Sequence, residues 1–578
     1  MSQCGEPAKW DQRWEDRAMT MSLAEADLQL TAAGGLFETE EAVVRGAAVK
    51  VWKHTPATLA EVVKLSRAHG DATFLVYEGD RYTFEEHFQA VARLAHQLRD
   101  RFGVTEGDRV ALAMRNFPEW SMAFYAAAAA GAVVVPLNAW WTGEELQYGL
   151  EDSGAKVVFV DRQREERLRP EWAGLPAVEG VIVARSPDGV DVGHVDLAEI
   201  LAGATGGIDL PEMALGPDDD ATIFYTSGTT GRPKGALGTH RNICTNAISL
   251  FYVAARSALR AGTDLVGGGQ NAYLLTVPLF HATGCHSILV TNTLAGGKLV
   301  MVHHFDAGRA LELIESERIT IFGGVPAMAM QILDHPDFAT RDTSSVKSVA
   351  YGGAPAPPDL VRRIKAQFPG GGASNGYGMT ETSSLSTMNQ GDDYVRKPDS
   401  VGPPVPVVEV KVVDPLGHDL PVGEAGELWI KGPNIVKGYW HKPEATAATF
   451  TDGWVHTGDV ARVDDEGFVY IVDRAKDMLI RGGENIYCVE IEGVLYDHPA
   501  VSDAAVIGIP HEVLGEEVGA VVQLRAGMAA TEAELQAHVG RHLAGFKVPK
   551  KVWFSAEPLP RNPAGKILKR QLRDELVS

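Results

Sequence analysis

The chain holds 578 residues, 45% of them hydrophobic, with 76 acidic against 53 basic side chains and a formal net charge of −23. That length carries about three to four domains as a soft prior, and the composition is that of a folded globular protein. The acidic surplus excludes the basic face that a nucleic-acid binder presents.

In chain order, the first twenty residues, MSQCGEPAKWDQRWEDRAMT, mix both charge signs and lack the apolar stretch of a secretory signal. The longest apolar run, 122–137, is Ala-rich, interrupted by Gly131 and Pro136, and too short to span a bilayer. Cys4, Cys244, Cys285 and Cys488 stand far apart, which points to reduced thiols rather than a disulfide framework. The expectation is a cytoplasmic protein without a transmembrane segment; peripheral membrane contact and a homodimer stay open.

From about 105 to 380, strand-like runs at 109–113, 157–160, 274–277, 299–302, 320–322 and 346–350 alternate with helical stretches such as 307–317 and 359–367. This alternation predicts a layered α/β architecture. Beyond 400 the texture becomes strands and turns (405–413, 427–431, 467–472), a small β-rich subdomain over about 400–475. From 477 a third texture begins. Helical 489–496 and 532–543 flank strand-like 504–509 and 518–524, which predicts a small α+β lid. The expected fold is therefore α/β: a large N-terminal domain over 1–475 and a lid over 476–578.

The segment 225–235 reads YTSGTTGRPKG and follows an apolar run at 221–225. Glycines let backbone N–H groups approach an anion, Thr and Ser hydroxyls add donors, and Lys234 adds a cation. The loop is built to wrap phosphate, yet it lacks the Gly-Lys-Ser/Thr ending of a Walker loop. It closely resembles the phosphate loop of the adenylate-forming superfamily, which includes the acyl-CoA synthetases. Further motifs of that family follow in family order: NGYGMTE at 375–381, TGD at 457–459, DRAKD at 473–477 and PRNPAGK at 560–566.

The resemblance implies site residues position by position. Thr226, Ser227, Gly228, Thr229, Thr230, Gly231 and Lys234 would hold the outer phosphates of ATP. Asn375, Gly376, Tyr377, Gly378 and Met379 would line the nucleotide, with Tyr377 stacked on adenine. Thr380 would contact the α-phosphate, and Glu381 would bind Mg²⁺, an ion that takes one or two protein carboxylates and fills its shell with phosphate and water. Asp459 would accept both ribose hydroxyls, with Arg474 beside it. Gly353 and Ala354 would also border AMP. Lys566 is the expected adenylation lysine, Lys476 the hinge, and Gly482 and Gly483 the passage for the pantetheine arm of CoA. PLFHATG (278–284) makes His281 a candidate beside the acyl group, with Gly352 and Gly353 forming one pocket wall.

The implied activity is an ATP-dependent acyl-CoA synthetase with ATP, CoA and Mg²⁺ as partners of a small carboxylic acid. A medium- or long-chain fatty acid is the first expectation, because the pocket segment is mainly apolar and offers no charge partner. An aryl or sterol-derived acid, or transfer to a carrier protein, is the alternative. An amino-acid adenylation domain would carry an Asp near 280–283, where the chain has Phe-His-Ala-Thr. A luciferase-like oxygenase shares every motif. A catalytically dead binder would have lost a key residue, and Lys234, Glu381, Asp459 and Lys566 are all present. A zinc site from His281, Cys285 and His286 is rejected for want of a fourth ligand.

Overall fold

The computed structural model describes residues 21–577 apart from 203–206, 227–231, 264–268, 353–357, 369–370, 475–476, 482–483 and 563–564. Two eight-stranded sheets form its frame. One contains, in spatial order, Gly438–Tyr439, Gly235–Thr239, Asp220–Tyr225, Val133–Pro136, Arg109–Ala113, Val157–Asp161, Gly180–Ala184 and Val195–Asp196. The other contains Thr387–Gln390, Gly372–Tyr377, Ser348–Gly352, Ile321–Gly324, Ala272–Leu275, Lys298–Met301, Thr73–Tyr77 and Asp80–Thr83. Both are parallel in their centres; the second is antiparallel at both edges, the first only at the edge formed by 235–239 and 438–439.

Strands such as Val157–Asp161 (VVFVD) and Gly180–Ala184 (GVIVA) are buried along their whole length. That is the pattern of parallel strands covered on both faces. Between the sheets lies a layer of helices. Pro118–Ala129 opens with Pro at its first position, and every residue except Glu119 is buried. Its alanines let both sheets approach. One core joins Phe74, Leu75 and Leu299 of one sheet to Val110, Leu112 and Val157 of the other across this layer. Consecutive parallel strands thus deliver their C-terminal ends, and the loops beyond them, to one edge of each sheet, where α/β proteins place ligands.

The β-rich part is a five-stranded sheet that includes Gly426–Lys431, Trp454–Val463 and Val469–Arg474. The strand expected over 405–413 starts later, at Glu409. Val405 to Val408 close a turn instead, the Val408 N–H donating to the Val405 carbonyl at 2.8 Å. The lid has its own five-stranded sheet around the long hairpin Val501–His511 and Gly515–Leu524, with helices Cys488–Tyr496 and Glu532–His542. The basic stretch at 569–573 is part of a C-terminal helix, Lys569–Leu576.

Residues 21–52 carry none of the motifs. Helix Leu23–Leu30 packs on His240–Ala261, and Phe37, Trp52 and Tyr252 form an aromatic cluster beneath it. No helix among the described residues is long and apolar enough to cross a membrane.

Candidate active site

The phosphate loop joins Asp220–Tyr225 to the antiparallel Gly235–Thr239. Its base is closed by the Thr226 N–H donating to the Lys234 carbonyl at 2.8 Å. The entry is anchored from below: the Tyr225 hydroxyl donates to Asp152 at 2.9 Å, and Lys442 holds the other oxygen of that carboxylate at 3.0 Å. Ser227, Gly228, Thr229, Thr230 and Gly231 lie outside the described residues. Lys234 is described, and its ammonium stands 4.8 Å from the centroid of the Tyr439 ring.

Strand Gly372–Tyr377 delivers Asn375, Gly376 and Tyr377, and a single helical turn, Thr380–Thr382, follows. Gly378 has no room for a side chain, because a Cβ would fall 1.4 Å from the Ser384 carbonyl oxygen. The Met379 N–H donates to the Thr382 hydroxyl, and the Thr380 carbonyl accepts from the Ser383 N–H, so the turn is internally tied. Glu381 is 6% exposed. Tyr439 donates to its Oε1 at 2.6 Å, and its backbone carbonyl accepts from the Val436 N–H at 3.0 Å. One buried carboxylate offering a hard oxygen fits Mg²⁺, whose remaining ligands would come from phosphate and water.

At the nucleoside end three distant segments converge. Asp459 and Arg474 are cross-strand partners, with Arg474 Nε 3.3 Å from Asp459 Oδ1. The Tyr377 hydroxyl donates to Asp459 Oδ2 at 2.6 Å. Burial, reinforced by the Asp459 charge, holds that phenol well above its usual pKa, so it stays a donor.

His281 is set by Asn116, whose side chain donates to the Val277 carbonyl at 3.1 Å and accepts from the Leu279 N–H at 2.9 Å. Burial first, then the nearby Lys566 charge, lowers His281 to about 4, so the imidazole is neutral at pH 7. Its buried Nε2 has no hydrogen-bond partner among the described residues. Lys566 belongs to a tight turn in which the Asn562 N–H donates to the Lys566 carbonyl at 2.8 Å. Gly565 of that turn abuts Val325 of the large domain: a Cβ there would lie 2.6 Å from the valine. The lid is therefore seated with its lysine turn at the His281 edge. Cys285 lies in the main core, and His286 Nδ1 faces the Ser383 carbonyl.

Gly352 is tightly packed, a Cβ falling 2.5 Å from the Gly376 carbonyl oxygen, so the small side chain here answers to its neighbouring strand. Gly353, Ala354, Lys476, Gly482 and Gly483 lie outside the described residues. Two features escaped the motif reading. Tyr439 sits in KGYW, which gives no chemical signal by itself. Asn246, Ser287 and Ser384 form a hydroxyl and amide network beyond His281, with Ser287 donating to Ser384 at 2.8 Å and Asn246 to Ser287 at 3.2 Å. Packing of the π-helical segment Thr283–Val290 against His240–Ala261 brings Asn246 and Ser287 together, and Ser384 reaches them from beyond the Thr380–Thr382 turn.

The family model for the AMP-binding enzyme matches residues 63–440, and that for the AMP-binding enzyme C-terminal domain matches 490–566. This chain belongs to the AMP-binding enzyme family. A feruloyl-CoA synthase of Amycolatopsis sp is 39% identical over 511 residues, covering 88% of this chain and 97% of that protein. The long-chain-fatty-acid–CoA ligase FadD13 of Mycobacterium tuberculosis is 36% identical, covering 86% of this chain and 93% of the relative. The solved structure of the anthranilate CoA ligase AuaEII in complex with anthranoyl-AMP matches with a TM-score of 0.81 at 25% identity, covering 90% of this chain and 97% of that one. The family's acyl-CoA synthetase branch makes the chain an AMP-forming acid–thiol ligase that uses ATP and CoA.

Proposed function

We propose that this AMP-binding enzyme activates an aromatic carboxylic acid bearing polar ring substituents and transfers it to CoA. The observation that carries the choice is the Asn246–Ser287–Ser384 network, continued by Thr283 at 3.5 Å from Ser384, in the segment directly after His281. A wall of hydroxyls suits a compact ring with its own hydroxyl or amine. It is a poorer lining for an alkyl chain, which offers these hydroxyls and this amide no further hydrogen bond. Relatives named for feruloyl and anthranoyl acids agree with this reading; the FadD13 relative keeps the fatty acid as its rival.

In this reading the substrate carboxylate oxygen attacks the α-phosphorus, the bond to the β-phosphate oxygen breaks, and pyrophosphate leaves. Every partner is an anion, so the protein's task is charge neutralisation at fixed positions. Lys234 and the loop from Thr226 hold the outer phosphates. Tyr377, Asp459 and Arg474 hold the nucleoside. Lys566 brings an ammonium between carboxylate and α-phosphate, next to Thr380. Glu381 would hold Mg²⁺, which supplies positive charge to the phosphates. His281, neutral, borders the acid without adding a second cation beside Lys566.

The second step needs a sulfur nucleophile at the acyl carbonyl, with AMP leaving. We assign the large domain to 1–475 and the lid to 476–578, with Lys476 as the pivot that withdraws Lys566 and brings the 482–483 glycines to the site. A panel of ferulic, coumaric, anthranilic, decanoic and palmitic acids with ATP, Mg²⁺ and CoA, read by mass spectrometry of the thioesters, tests the proposal. Aromatic acids should lead in kcat/KM by about tenfold or more, the range one satisfied polar contact supplies. A lead for palmitic acid would give the site to fatty acids.

A further inference from the structure

The segment 433–440 runs between the two halves of the nucleotide site and touches both. Its Pro433 and Ile435 carbonyls accept from Asn242 at 2.7 Å each, and Asn434 donates to the Thr382 and Leu385 carbonyls at 3.1 Å each. The Val436 N–H then donates to the Glu381 carbonyl. Next, Gly438–Tyr439 pairs with Leu237 and Ala236, directly beyond the phosphate loop. The Trp440 N–H donates to the Gly235 carbonyl at 2.7 Å, and the Tyr439 N–H to the Thr446 hydroxyl at 2.9 Å. Tyr439 is thus fixed on both sides by backbone, not by side-chain packing alone.

From that position its side chain meets two groups of opposite charge. The hydroxyl donates to Glu381 Oε1 at 2.6 Å. The ring lies under the Lys234 ammonium at 4.8 Å, within range of a cation–π contact. Glu381 and Lys234 reach the site from different sheets, Lys234 directly before Gly235–Thr239 and Glu381 in the turn after Gly372–Tyr377. We propose that Tyr439 is the positioning residue of the nucleotide site. It ties the carboxylate of Glu381 to the ammonium of Lys234, so that ATP with its cation meets both at a set spacing. The inference rests on the assignment of Glu381 and Lys234 given above.

The two contacts separate cleanly by substitution. Tyr439→Phe keeps the ring under Lys234 and removes the bond to Glu381. Tyr439→Leu removes both. The measurement is calorimetric binding of α,β-methylene-ATP, which does not turn over, with and without Mg²⁺. In Tyr439→Phe the gain in affinity that Mg²⁺ confers should fall by about tenfold, the usual range for one hydrogen bond to a charged group. Binding without Mg²⁺ should be unchanged. Tyr439→Leu should weaken the metal-free binding as well, by about three- to fivefold. In a Glu381→Gln background Tyr439→Phe should add nothing further.

If Glu381→Gln abolishes the Mg²⁺ gain while Tyr439→Phe retains it in full, the tyrosine has no positioning role and the Glu381 assignment stands. If Glu381→Gln itself keeps the gain, the Glu381 assignment fails and takes the proposal with it. Equal loss with and without Mg²⁺ in Tyr439→Phe would also overturn the proposal, because a general structural defect weakens both. Should Tyr439→Leu fail to fold, the phenylalanine variant and its double mutant decide alone.

Discussion

In the proposed reading, the Lys566 ammonium carries the adenylation step. Lys566 arrives on a turn closed by Asn562 and seated by Gly565 against Val325, and its charge is felt at His281. Lys566→Ala should lower carboxylate-dependent pyrophosphate release by about 10²–10³-fold, the range for removing one preorganised charge contact in a transition state. Thioester formation from a supplied acyl-adenylate should largely survive; equal losses in both assays would detach the lysine from the first step. The same variant tests the seating of the lid. Lys566 lowers the His281 pKa, so its removal should move that pKa upward from about 4, still short of 6.5 because burial is the larger cause. An NMR titration of the His281 ring that is indifferent to the substitution would mean the lysine turn does not dwell at this edge.

The element that carries Glu381 is a loop with little freedom. Ser383 and Ser384 both hold positive φ, 53° and 98°, and Gly378 presses on the Ser384 carbonyl. Backbone, not a flexible side-chain end, is what a new Cβ would strike. Gly378→Ala should therefore cost about 1–3 kcal/mol in thermal stability and raise the KM for ATP, whereas Gly372→Ala, six residues upstream with open space around it, should do neither. Indistinguishable melting curves for the two variants would count against the strain. The glycine itself was legible in NGYGMTE, as were Tyr377, Asp459, Arg474 and Lys566, because each sits in a motif whose spacing survives without the fold. The alternation of apolar runs likewise marked the layered α/β architecture, since strands buried on both faces announce themselves, but not its division into two sheets. Tyr439, Asn246 and Ser287 were not legible. Their partners lie 58, 139 and 97 residues away, as in Tyr439–Glu381, Asn246–Leu385 and Ser287–Ser384, and no local pattern marks a contact of that span.

At the scale of the whole molecule, the joint between body and lid is a small charged core. Asp473 stands one residue before the end of strand Val469–Arg474, and its carboxylate accepts from the Cys488 N–H at the start of the lid's first helix. Lys569, the first residue of the C-terminal helix, turns inward with its side chain 20% exposed and pairs with Glu492 at 2.6 Å. Its charge also reaches Asp473. Two buried acids thus share one base. Burial raises Asp473 to about 6 from 3.8, with Lys569 opposing the rise, and burial raises Glu492 too. The folded state therefore keeps the Asp473 proton to higher pH than the unfolded chain does. The associated stability is whole below about pH 4 and is lost as pH rises through about 6, on the order of 3 kcal/mol, with no further change above. Lys569→Met removes the positive charge that opposes both rises and leaves both acids to be ionised without it. Breaking a buried pair in this way costs about 3–5 kcal/mol when the survivors are charged and much less when they are protonated. The variant should thus lose more thermal stability at pH 8 than at pH 5, where Asp473 is mostly neutral. A calorimetric scan at the two pH values reads the difference directly; an equal drop at both would show that Lys569 contributes packing rather than charge. A larger loss at pH 8, confined to a lid transition that separates from the body, would locate the charge pair at the joint and tie the seating of Lys566 to the same contacts.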